Sequence, residues 1–162
     1  MRRKRKYILI ILLPIVFLLG WYIYNVNYHF VANTDLDDEQ IGSIQLGDSL
    51  TNVRSTIDEK FETITRVKAH KSVISNTFAF SADQTDKIIY IRSESEEFKT
   101  AKGITVGASI EDVRLKYGDD YIQVKEMGMG NYRLYVDRKS NTLLRFWYDD
   151  DTVKRIVYEY LD

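Results

Sequence analysis

The chain contains no cysteine. That absence excludes disulfides, thiolate metal ligands and a lipid-modified N-terminal cysteine. Proline is nearly missing as well, with Pro14 alone, so no segment reads as a proline-rich stalk or disordered linker. Histidine occurs only at His29 and His70. Metal catalysis usually draws on several His or Cys ligands, and this sequence does not supply them. A Ser-His-Asp arrangement beyond the N-terminal region would have to use His70, which lies beside Lys71 with no nucleophile elbow nearby. Positive charge is scarce past the N-terminus. Outside the five basic residues at 2–6, 18 Lys and Arg stand against 24 Asp and Glu, a net charge near −6. Phosphate neutralisation needs clustered Lys and Arg, so nucleic acid is not an expected partner. No cofactor and no bound metal are expected either.

What is present begins with a basic segment, 1–6 (MRRKRK), followed by an uncharged run, 7–24 (YILIILLPIVFLLGWYIY). As a helix this run spans roughly 27 Å at about 1.5 Å per residue, close to the roughly 30 Å of hydrocarbon in a bilayer. Trp21, Tyr22 and Tyr24 at its outer end suit a membrane interface. The reading predicts an uncleaved transmembrane anchor over 7–24. The basic segment then stays in the cytoplasm and the rest of the chain lies outside, as a single-pass protein of the cell envelope. The competing reading is a cleaved signal peptide, whose apolar region is usually only about 7–15 residues long. Residues 25–40 read as a linker, kept solvated by Asp35, Asp37, Asp38 and Glu39.

A short motif then occurs twice. Residues 44–57 (IQLGDSLTNVRSTI) align without a gap on 104–117 (ITVGASIEDVRLKY) at an offset of 60. Ile44, Gly47, Ser49, Val53 and Arg54 are matched by Ile104, Gly107, Ser109, Val113 and Arg114. The physical logic is the same in both: an extended segment, a glycine turn, a serine N-cap and a short helix with one apolar face. Gly118 is placed to end the second helix. Strand-like runs follow at 61–70, 73–81 and 87–95, and again at 121–127, 131–138, 142–149 and 152–161. The predicted fold is therefore α+β: an N-terminal transmembrane helix followed by two helix-plus-antiparallel-sheet repeats, 41–99 and 100–162.

The hydrophobic-Gly-x-Ser-hydrophobic-x-x-Val motif, a short helix and a meander resemble the small α+β modules of the outer-membrane assembly lipoproteins (SmpA/OmlA, BamE-like). They are also similar to the tandem repeats of the β-lactamase-inhibitor-protein fold. The resemblance covers about 41–161 and implies an extracytoplasmic protein that acts by binding proteins. The absent lipidation cysteine departs from the first group.

Alternation along the strands points to a surface for such binding. Arg133 and Tyr135 share one face of 131–138, and Arg145 and Trp147 share one face of 142–149. Aromatic and Arg side chains dominate protein-binding hot spots, so these four are the expected partner-binding residues. The leading reading is a membrane-anchored module that binds an envelope or extracellular protein or peptide, with no catalytic residue. Two alternatives stand beside it. One is a carboxylate-dependent cell-wall hydrolase using Asp149, Asp150, Asp151 or Glu159. The other is a structural accessory subunit of a membrane complex.

Overall fold

The computed structural model describes residues 2–65, 71–126, 128 and 130–161, and gives the backbone course alone for 2–11, 25, 26, 28 and 65. Helix α1 runs Arg2–Val26, and a 3-10 turn follows at Tyr28–Phe30. Two short helices, α2 (Leu50–Thr56) and α3 (Ile110–Tyr117), each precede four strands. The strands are β1 (Glu62–Thr65), β2 (Lys71–Ile74), β3 (Phe78–Ala82), β4 (Ile88–Ser93), β5 (Ile122–Glu126), β6 (Gly130–Asp137), β7 (Thr142–Asp149) and β8 (Thr152–Tyr160).

All eight strands form one antiparallel sheet in the order β1-β2-β3-β4-β8-β7-β6-β5. This corrects the expectation of two helix-plus-sheet repeats. The reason lies in the β4–β8 pairing, where Tyr90 to Ser93 run against Glu159 to Ile156 and merge both meanders into one surface. The main core is correspondingly continuous. Phe78, Phe80 and Ile91 from the first half and Leu144, Phe146 and Ile156 from the second belong to one buried cluster beneath α2 and α3. The expected strand 73–81 is also divided, because Ser75 turns the chain by accepting the Phe78 amide at 3.0 Å.

The membrane span is corrected too. Among the described residues no helix is long and apolar enough to cross a membrane. The described side chains of α1 are those of 12–24, all exposed. The membrane anchor at 7–24 and the single-pass topology built on it are withdrawn on this finding.

The two motif copies take the same local form. Gly47 and Gly107 adopt φ of 89° and 90°, a region open to glycine at little cost. The Gly47 amide donates to the Ile88 carbonyl and the Gly107 amide to the Val153 carbonyl, both at 2.8 Å. Each turn thus docks on the first residues of a central strand. Ser49 and Ser109 cap α2 and α3, accepting the amides of Asn52 and Asp112. Gly118, at φ 91°, ends α3.

Residues 34–41 are not a solvated spacer. Thr34, Leu36, Glu39 and Ile41 are buried. The Asp137 carboxylate holds this segment, accepting the Leu36 amide and the Asn33 carboxamide at 3.0 Å each and the Lys139 amide at 2.9 Å. Burial alone would raise this carboxyl, but the donated hydrogen bonds together outweigh it and hold it at about 2. The sign of the consequence follows directly. A carboxyl held below its unfolded value of 3.8 contributes stability that is fully present above that value and is lost as pH falls through about 2. Asp137→Asn is expected to flatten the acid limb between about pH 4 and pH 2 in chemical denaturation. An unchanged acid limb would exclude Asp137 as its source.

Candidate functional site

The sheet has a covered face and an outer face, and alternation along each strand assigns side chains between them. On the outer face, register sets Ala79, Arg92, Val157, Arg145 and Leu134 in one row across β3, β4, β8, β7 and β6. A neighbouring row holds Ser81, Tyr90, Glu159 and Leu143. Beyond the end of β4, Glu94 flanks Arg155, Trp147 and Tyr132. Near β5 this face is closed by a second apolar cluster of Ile122, Leu134, Val136 and Leu143, against which Val31 and Leu161 pack. The centre, over β4, β8 and β7, carries a mixed polar and aromatic surface.

Ion pairs organise that centre. Arg145 Nη1 lies 2.6 Å from Glu159 Oε1, and Arg155 Nε lies 2.7 Å from Glu94 Oε1. Arg92 Nε is 3.8 Å from the same Glu94 oxygen. The two rings on the β6–β7 side, Tyr132 and Trp147, meet with centroids 4.5 Å apart, and the Arg145 guanidinium sits 5.9 Å from the Tyr132 ring. Val157, between Arg92 and Arg145, is only 3% exposed. Its long neighbours shield it with their alkyl stems while their charged heads reach outward. Burial raises the Tyr90 hydroxyl above its ordinary range, with the Glu159 charge adding to the effect, so it stays a neutral donor on this surface.

Two of the four sequence-expected residues, Arg145 and Trp147, belong to this surface. The sheet places the other two on the opposite face. Tyr135 is fully buried and donates its hydroxyl to the Gly118 carbonyl at 3.1 Å. Arg133 is 9% exposed, donates from Nη1 to the Ile110 carbonyl at 2.7 Å and lies 4.5 Å from the Tyr121 ring. Both fasten α3 to the sheet. The residues that sequence reading missed are Tyr90, Arg92, Glu94 and Arg155. The spacing Tyr90-x-Arg92-x-Glu94 carried a signal, but its partner strand is β8, set by a long-range pairing.

The carboxylates considered for hydrolysis do not converge. Asp150 and Asp151 form the β7–β8 hairpin turn with φ of 45° and 58°, as a two-residue turn of this hand requires. Glu159 sits eight residues along β8 from Asp151, roughly 26 Å at the rise of a strand. His70 lies outside the described residues. The Asp35, Asp37 and Asp137 carboxylates approach within 4.8 Å of one another. The Asp137 oxygens already accept the contacts above, Asp37 pairs with Lys139, and Asp35 Oδ1 accepts the Asp37 amide at 3.1 Å. A cleft of about 210 Å³ between α2 and the loop before it has Val53, Ile57 and Phe98 among its lining and Asp48 and Asn52 among its polar groups. Its carboxylate, Asp48, accepts the Gln45 amide at 2.8 Å.

Comparison with known proteins adds a fold likeness. No family model matches the chain, and no curated protein matches it. Among solved structures, an extracellular protein containing an SCP domain from Bacillus anthracis str. Ames is similar, with 14% sequence identity and a TM-score of 0.51. The match covers 71% of this chain and 44% of that one, so the chain spans less than half the length of this neighbour. At that identity the likeness concerns the fold alone.

Proposed function

We propose that the chain is a protein- or peptide-binding module that uses the outer face of the sheet over β4, β8 and β7. One observation carries this reading. Three Arg, two Glu and the rings of Tyr90, Tyr132 and Trp147 are gathered on one rigid sheet surface, with Trp147 only 8% exposed as its floor. Rigid, partly desolvated Arg and aromatic groups lose little entropy on binding and supply the hot spots of interfaces. The resemblance to modules that act by binding proteins agrees with it.

The test is photo-crosslinking and capture of the partner by the full chain. Arg145→Ala and Tyr90→Ala should each weaken capture about tenfold or more, the effect of losing a hot spot. Thermal unfolding of the same variants controls for folding. Undiminished capture by both folded variants would reject this face.

A further inference from the structure

The outer face is rich in hydrogen-bond donors and poor in acceptors. Each guanidinium offers five N–H groups and no acceptor, while each carboxylate offers two oxygens. Arg92, Arg145 and Arg155 therefore present about fifteen donors to the four oxygens of Glu94 and Glu159. The geometry shows where the shortage falls. Glu94 Oε1 is held at 2.7 Å by Arg155 Nε, leaving Arg92 Nε at 3.8 Å from that same oxygen. Arg92 Nε is shielded from solvent and has no hydrogen-bond partner among the described residues. A shielded donor without an acceptor costs about 1–3 kcal/mol, more when charged. The three cations remain partly open, with side-chain exposures of 24%, 29% and 30%. Three Arg against two Glu give the centre of this face a formal charge of +1, with Glu126 acting on Tyr132 from the β5 edge, in a chain that is acidic past its N-terminal segment.

From this we infer that the partner is an acidic protein segment whose carboxylates dock on Arg92, Arg145 and Arg155. The inference rests on the binding reading above. Guanidinium and carboxylate match as bidentate pairs, so each docked carboxylate supplies two acceptors in the plane of a fork. Glu94 and Glu159 hold the arginines in place and are partly replaced on docking. Apolar side chains between the docked carboxylates meet Val157, Trp147 and Tyr132. The acidic remainder of the chain repels the same segment, which confines it to this patch.

The experiment is selection of random 12-residue peptides displayed on phage against the full chain, with the selected peptides then titrated by NMR. Expected are peptides rich in Asp and Glu, whose chemical-shift changes centre on Tyr90, Arg92, Arg145 and Arg155. Their affinity should fall at least tenfold between 50 and 500 mM salt, and at least tenfold in the folded triple variant R92Q/R145Q/R155Q. The shift map and the salt series need no variant, so a misfolded triple variant does not blunt the test. Neutral, apolar peptides that map to the same face, ignore salt and bind the triple variant normally would overturn the acidic partner and leave the binding face standing. Peptides that map elsewhere, or no selected peptide at all, would overturn both. A single-stranded oligonucleotide bound through these arginines, with acidic peptides ignored, would overturn the inference in favour of phosphate.

Discussion

Phe78→Ala is expected to destabilise the domain by about 3–5 kcal/mol, the range for truncating a buried phenylalanine. Phe78 is fully buried. Its ring stacks on Phe80 with centroids 5.4 Å apart and meets Phe98 edge-on at 4.9 Å. Phe98 in turn packs against Gly42, so closely that a Cβ at that glycine would come within 2.4 Å of the ring. The side chain thus links β3 to the 41–44 turn and the 94–100 segment. Removing it takes away transfer free energy and leaves a void that this crowded neighbourhood is poorly able to collapse. Urea denaturation should show a lower midpoint at an unchanged slope. A loss below about 1 kcal/mol would mean that these segments close the gap and that the ring cluster is not the centre of the core.

The second large effect concerns Glu39. Its carboxylate is 3% exposed and receives the Tyr117 hydroxyl at 2.7 Å, the Ala101 amide at 2.9 Å and the Gln40 amide at 3.1 Å. Glu39→Ala strands three donors together, and the expected cost is about 2–4 kcal/mol. Glu39→Gln should cost far less, because an amide keeps an acceptor there and carries no charge to desolvate. Burial raises the Glu39 carboxyl above its ordinary value, against the opposing pull of Tyr117, Ala101, Gln40 and Lys102. The sign is opposite to that of Asp137. The folded state binds the Glu39 proton more tightly than the unfolded state does. The charged form therefore subtracts stability above the folded value, and this is relieved as pH falls through it toward the unfolded 4.5. Glu39→Gln should abolish that gain. Equal losses for Ala and Gln would show that Glu39 acts by packing alone.

These two sites differ in how far the sequence announces them. The alternation Phe78-Ala79-Phe80 marks an inward face by itself. Glu39 reads as one of four solvated acids in a spacer, and its burial depends on Tyr117 and Ala101, more than sixty residues away. The outer face lies between these cases. The rows on β7 follow from period two, and Arg145 and Trp147 are legible as neighbours. Arg133 and Tyr135 carry the same kind of pattern on β6. The register Arg133↔Phe146 nonetheless puts them on the side away from Arg145, which pairs with Leu134. Strand alternation says which residues share a face and leaves open which face of one strand continues which face of the next.

Local physics was enough for the turns and caps. Glycine at positive φ, serine at the N-cap and the apolar spacing of a short helix act within a few residues, so the two motif copies and the Asp150–Asp151 hairpin turn are determined by the chain itself. Whether two meanders form two sheets or one was decided only by the β4–β8 pairing, a contact between segments about sixty residues apart. That pairing brings Tyr90, Arg92 and Glu94 beside Arg155, Val157 and Glu159 and so creates the candidate surface. Sequence periodicity carries no information about it, because backbone hydrogen bonds between strands are the same whichever strands they join.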